Sequence, residues 1–162
     1  MAFNQTYVDM TFKASVALDY AMVKLLNALR DNIEQIVYGA GIPSTYDRSY
    51  EFLKSWETSM PIIKGNLIQS DLFQNILDMT FDADNFFHGS NYWRQEDVTP
   101  FLANIIFDGL SGDLMGEGFW RQARDAWTPT LELLTNGTFL RWFEESMMSQ
   151  SASGSMFQIT FK

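Results

Sequence analysis

The sequence contains no cysteine, which excludes a disulfide scaffold, a thiol nucleophile and any zinc site built on Cys ligands. Histidine is nearly absent too: His88 stands alone, so metal binding through it would need carboxylate partners. Basic residues are scarce, with 11 Lys and Arg against 20 Asp and Glu and a net charge of −9. That balance argues against a protein that grips nucleic-acid backbone, which calls for clustered Lys and Arg. Apolar runs are short, and none approaches the roughly 18 residues of a membrane span. The segment Met1 to Met10 carries Asp9 and no Lys or Arg, and no apolar block of signal-peptide length follows it. These features predict a soluble protein that stays where it is made. The sequons Asn4-Gln5-Thr6 and Asn136-Gly137-Thr138 then read as chance matches.

What is present suffices for a core. The chain has 162 residues, of which 46 % are hydrophobic and 15 % aromatic, so it is neither disordered nor collagenous. Leu18, Met22, Leu25, Leu26, Leu29, Ile33, Ile36 and Val37 recur at steps of three and four. This spacing predicts one amphipathic helix from about Thr11 to Tyr38, capped by Asp9 or Thr11 and stopped at Gly39-Ala40-Gly41. Lys24, Arg30, Asp31 and Glu34 read as its solvated face.

A strand meander is expected between Glu51 and Phe87. Phe52 to Ile63 is rich in strand formers and runs into a turn at Lys64-Gly65-Asn66, and Leu77 to Asp82 alternates apolar with polar. Asn66 to Gln74 is ambiguous between strand and short helix. Thr99-Pro100 signals the start of a helix reaching Phe107, and Thr128-Pro129 repeats the signal, with Asn136-Gly137 as a break further on. The expected fold is α+β: a long N-terminal amphipathic helix, a central antiparallel meander, C-terminal helices and a short terminal arm. The expected organisation is a single domain over 1–149, with a Ser/Gly linker and strand-like arm over 150–162.

No motif names a reaction. His88 lies between aromatics and Gly89-Ser90, near Asp82 and Asp84, and its plainer reading is a hydrogen-bonded structural residue. Ser90, His88 and Asp84 make a triad only on paper, because no nucleophile elbow surrounds Ser90. The glycine-rich run Asp108 to Gly118 matches neither phosphate-binding pattern, lacks the lysine, and carries Asp108, Asp113 and Glu117, which repel phosphate. No cofactor is implied. Five Trp, six Tyr and 14 Phe exceed what one modest core needs, and Trp, Tyr and Arg concentrate at interfaces as well as in cores. Nine Met add adaptable packing surface. These features favour a structural or interaction protein over an enzyme.

The order of segments carries a resemblance. The long helix is followed by Pro43-Ser44-Thr45-Tyr46-Asp47-Arg48-Ser49, then Phe52-Leu53-Lys54-Ser55-Trp56, the meander, a His-Gly-Ser turn and Phe101 to Gly109. Gly116-Glu117-Gly118-Phe119-Trp120-Arg121-Gln122-Ala123-Arg124-Asp125-Ala126-Trp127 comes last. Over about residues 12 to 145 this layout resembles the small neck proteins of long-tailed bacteriophages, the head–tail joining or tail-completion family. The resemblance implies a virion protein without catalysis, assembled in the host cytoplasm into a ring on the order of six or twelve copies. Its partners would be itself, the portal or connector, and the tail-tube or tail-terminator proteins, with DNA passing through unbound and no membrane. The arm after Gln150 departs from the simplest members of that family.

Interface candidates are Tyr46, Arg48, Tyr92, Trp93, Trp120, Arg121, Arg124 and, in the arm, Met156, Phe157, Ile159 and Phe161. A lumen that lets phosphates pass should be acidic or neutral, so Asp82, Asp84, Asp108, Asp113 and Glu117 are the channel-lining candidates. Arg121, Arg124 and Arg141 are expected to face protein carboxylates. Two other classes stay open: a small muramidase-like hydrolase with acids among Asp82, Asp84, Glu96 and Asp97, and an acidic regulator that binds a host protein.

Overall fold

A stripe that recurs every three to four residues needs a helix long enough to bury it, and the first element supplies one. The computed structural model describes residues 2–39, 50–75, 77 and 122–150. Helix α1 spans Ala2–Asn32 and continues without interruption as a π-helix over Ile33–Tyr38. The predicted helix is therefore present, but it begins about nine residues early. Thr11 does not cap it; its hydroxyl donates to the Tyr7 carbonyl at 2.9 Å, one turn back inside the helix. The π-turn has a packing reason. Leu25, Leu29, Ile33 and Val37 are buried at strict four-residue steps. Such steps overshoot an α-helical turn but fall just short of the wider i→i+5 turn, so the change of helix type brings Ile33 and Val37 back into line. Gly39 closes the element, its N–H donating to the Glu34 carbonyl at 2.8 Å.

Tyr50 takes a left-handed backbone conformation at φ 59° and introduces the single helical turn α2, Glu51–Lys54. The expected strand from Phe52 is thus displaced, and strand structure begins only at β1, Trp56–Thr58. Strands β2, Ile62–Lys64, and β3, Leu67–Gln69, form an antiparallel hairpin with Ile63 opposite Ile68. Its two-residue turn is the predicted Gly65-Asn66, where Gly65 supplies φ +63°. Strand β4, Leu72–Gln74, returns to pair with β1, so the ambiguous segment resolves as strand.

Helix α3 spans Gln122–Thr135 and α4 spans Thr138–Gln150. Here the Thr128-Pro129 signal misleads: the helix starts earlier and Pro129 lies inside it, where the ring removes one backbone donor. The Asn136-Gly137 break is present. Gly137 adopts φ +83°, and the Asn136 side chain accepts from the Thr138 N–H at 3.0 Å to open α4. The fold is α+β. The helix expected at Pro100–Phe107 and the glycine-rich run lie outside the described residues, as does Leu77 to Asp82 apart from Leu77 itself.

The chain gathers into two units, one of Met1–Asn27, Thr58–Leu72 and Leu131–Lys162, the other of Ala28–Glu57 and Phe73–Thr130. In the first, small residues Ala14, Ala17 and Ala21 let α1 approach Phe139, Phe143 and Met147 of α4, with Met22 and Leu25 completing a buried cluster. Ile68, Leu72 and Trp142 pack against its edge. In the second, Leu29, Ile33 and Val37 are buried together with Phe52, Trp56 and Ala126.

Candidate functional site

Buried polar groups are where function often sits, and the second unit holds several. Trp56 meets Trp127 with ring centroids 5.0 Å apart and Phe52 edge-on at 6.2 Å. Arg30, read as solvated, is instead half-buried; its guanidinium donates to the Trp56 carbonyl at 2.7 Å and more weakly to that of Lys54 at 3.4 Å. Arg30 Nε and Trp56 Nε1 are buried donors that meet no acceptor. Thr130 is buried, accepts from the Asn32 amide at 3.0 Å and donates to the Ala126 carbonyl at 3.2 Å. These contacts tie α1 to α3 and to the β1 strand within that unit. They are framework, with no paired carboxylates and no nucleophile–base contact among them.

The first unit is different, because it holds large apolar side chains out in solvent. Val8, Phe12, Val16, Tyr20 and Val23 form a second stripe on α1, and Phe12 is 63 % exposed. They lie on the opposite side of the helix from Ala14, Ala17, Ala21 and Leu25. The hairpin adds Met60, 84 % exposed, with Ile62 and Leu67 on the face turned away from Ile68. The hairpin turn sits beside the start of α1, where the Tyr7 hydroxyl donates to the Gly65 carbonyl at 3.3 Å. Two ordered elements of one unit therefore present apolar surface, which marks interaction sites. The aromatic surplus divides accordingly: Phe52, Trp56, Phe139 and Phe143 are core, while Tyr7, Phe12, Tyr20 and Tyr50 are exposed.

Sequence reasoning missed this outer stripe because it followed only the face with the most leucine. The signal was nonetheless present as an unbroken four-residue step from Val8 to Tyr20. The candidates named from sequence fall elsewhere. Tyr46, Arg48, Tyr92, Trp93, Trp120, Arg121, Met156, Phe157, Ile159 and Phe161 lie outside the described residues, and so do Asp82, Asp84, Asp108, Asp113 and Glu117. The same holds for His88, Ser90, Glu96 and Asp97, while Arg124 lies in the backbone of α3. Arg141 does stand beside a carboxylate, with Nε 3.9 Å from Glu145 one turn on, both well exposed.

Among the described residues no three of His, Cys, Asp and Glu converge as a metal site, and no helix is long and apolar enough to cross a membrane. No protein-family model, curated protein or solved structure matches the chain.

Proposed function

We propose that the chain is a structural assembly subunit of a phage neck, forming a ring between the portal or connector and the tail tube. The observation that supports this reading best is the β2–β3 hairpin. It is a two-stranded sheet whose outward face carries Ile62 and Leu67 in solvent, with Met60 just before it. A short sheet with an apolar outer face and open edges is a surface that another chain can cover or extend. A ring needs a heterologous contact, in which one patch on a copy meets a different patch on the next. The hairpin supplies one such patch, and the arm carrying Met156, Phe157, Ile159 and Phe161 supplies an alternating apolar segment to meet it.

The test is made on particles. The protein should be found in purified virions at ring stoichiometry, and electron microscopy should place it at the head–tail junction. Ile62→Asp with Leu67→Asp should leave a folded protein that no longer enters particles, because both side chains are exposed in the lone chain. Absence of the protein from virions, or particles that incorporate the double variant normally, would sink the reading.

A further inference from the structure

The joint between α3 and α4 holds the only Asn-Gly pair in the sequence, Asn136-Gly137. Glycine has no Cβ to shield its own main-chain nitrogen. That nitrogen can attack the Cγ of a preceding asparagine. A new N–C bond closes a cyclic imide, and the side-chain nitrogen leaves as ammonia, taking the proton that the attacking nitrogen gives up. Water then adds to either imide carbonyl and opens the ring to aspartate or isoaspartate.

The joint leaves the reacting atoms open to this step. Asn136 and Gly137 are both exposed, so water reaches them. The neighbouring main-chain bonds run past the attacking atom: the Asn136 N–H donates to the Glu132 carbonyl and the Arg141 N–H to the Gly137 carbonyl. No main-chain acceptor among the described residues takes the Gly137 N–H. The Asn136 side-chain oxygen accepts from the Thr138 N–H at 3.0 Å, so the atom on which negative charge develops during attack already faces a donor. Other asparagines are placed differently. Asn27 and Asn32 lie within α1, and Asn66 and Asn75 precede the bulky Leu67 and Ile76.

We propose that Asn136 is a self-modification site, converting to aspartate and isoaspartate by attack of the Gly137 nitrogen. The inference is independent of the neck reading. Its two products differ in structure. Aspartate keeps an oxygen for the Thr138 N–H and puts an acid at the start of α4, whose first turn has none. Isoaspartate routes the main chain through the former side chain, lengthening it just ahead of Phe139, which is buried in the cluster that α1 and α4 share.

Incubating the full chain at raised temperature and mildly alkaline pH, then mapping its peptides so that aspartate and isoaspartate separate, tests this. The first new acid should appear at residue 136, as both products, and faster at higher pH because the attacking nitrogen must shed its proton. Asn136→Ser keeps a capping oxygen without an amide. It should retain the parent's helical circular dichroism and lose that first acidic species. Among the separated products, the aspartate form should melt at or above the parent's temperature and the isoaspartate form below it. A first acid at any other asparagine overturns the inference, and so does an Asn136→Ser chain that turns acidic at the parent's rate. An isoaspartate form as stable as the parent overturns the capping account of the products.

Discussion

Phe139 and Phe12 are the same residue type in opposite surroundings, and truncating each to alanine separates core from surface. Phe139 is 2 % exposed and packs in the cluster formed by α1 and α4. Phe139→Ala removes the ring and leaves a cavity in the cluster that holds Ala14, Ala17 and Ala21, whose methyl groups have no rotamers with which to fill it. The expected cost is about 3–5 kcal/mol. For a chain of this length each kcal/mol moves the melting temperature by about 2–4 °C, so the midpoint should fall by roughly 6–20 °C. Phe12 is held in water, and Phe12→Ala should stay within about 0.5 kcal/mol of the parent. The assay is urea or thermal unfolding followed by tryptophan fluorescence, since Trp142 packs on the same cluster. It should be run at low micromolar concentration so that self-association does not contribute. Equal losses at the two positions, or a loss below about 1 kcal/mol at Phe139, would refute the assignment of this face as core.

Substitutions at four further positions probe the second unit and the turns. Thr130→Val keeps the shape but strips the acceptor from Asn32, and should cost about 1–2 kcal/mol in urea unfolding, while Thr130→Ser should be nearly neutral. Arg30→Met deprives the Trp56 and Lys54 carbonyls of their donor and should destabilise by about 1–3 kcal/mol, read as a lower denaturation midpoint. A Cβ on Gly39 would lie 2.3 Å from the Gln35 carbonyl oxygen, so Gly39→Ala forces main-chain movement, whereas the Gly65 position is open. Gly39→Ala should therefore lower the melting temperature more than Gly65→Ala, whose cost of about 1 kcal/mol comes from the positive φ alone.

The elements that could be read from sequence are those whose local chemistry and burial agree. The α1 stripe, the Lys64-Gly65-Asn66 turn and the Asn136-Gly137 break each have one conformation that satisfies both backbone and pattern. The failures have identifiable causes. From Tyr7 to Lys13 no residue of α1 is buried, so no core stripe announces those turns. Thr128-Pro129 resembles a helix start, but burial of Ala126 and Thr130 holds that stretch in the middle of α3 and outweighs the missing proline donor. The α2 turn depends on a left-handed Tyr50, whose ring lies 4.7 Å from that of Tyr38, a contact made across the sequence and invisible within it. The outer stripe of α1 was legible in principle. Apolar residues on a face that also carries Lys24 and Asp19 are easily passed over as incidental.

The interleaving of the two units governs how the chain is made. Neither is a contiguous stretch: the first needs Met1–Asn27 together with Leu131–Lys162, and the second reaches from Ala28 to Thr130. Ala17, Ala21 and Leu25 leave the ribosome long before Phe139 and Phe143 exist to cover them. At roughly 5–20 residues per second, the 114 positions from Leu25 to Phe139 represent about 6–23 s of synthesis. Throughout that interval the face of α1 carrying Ala17, Ala21 and Leu25 lacks the cover that Phe139, Phe143 and Met147 of α4 supply in the folded chain. A long wait for α4 favours aggregation of unfinished chains through α1, so co-expressed chaperones should raise the soluble yield.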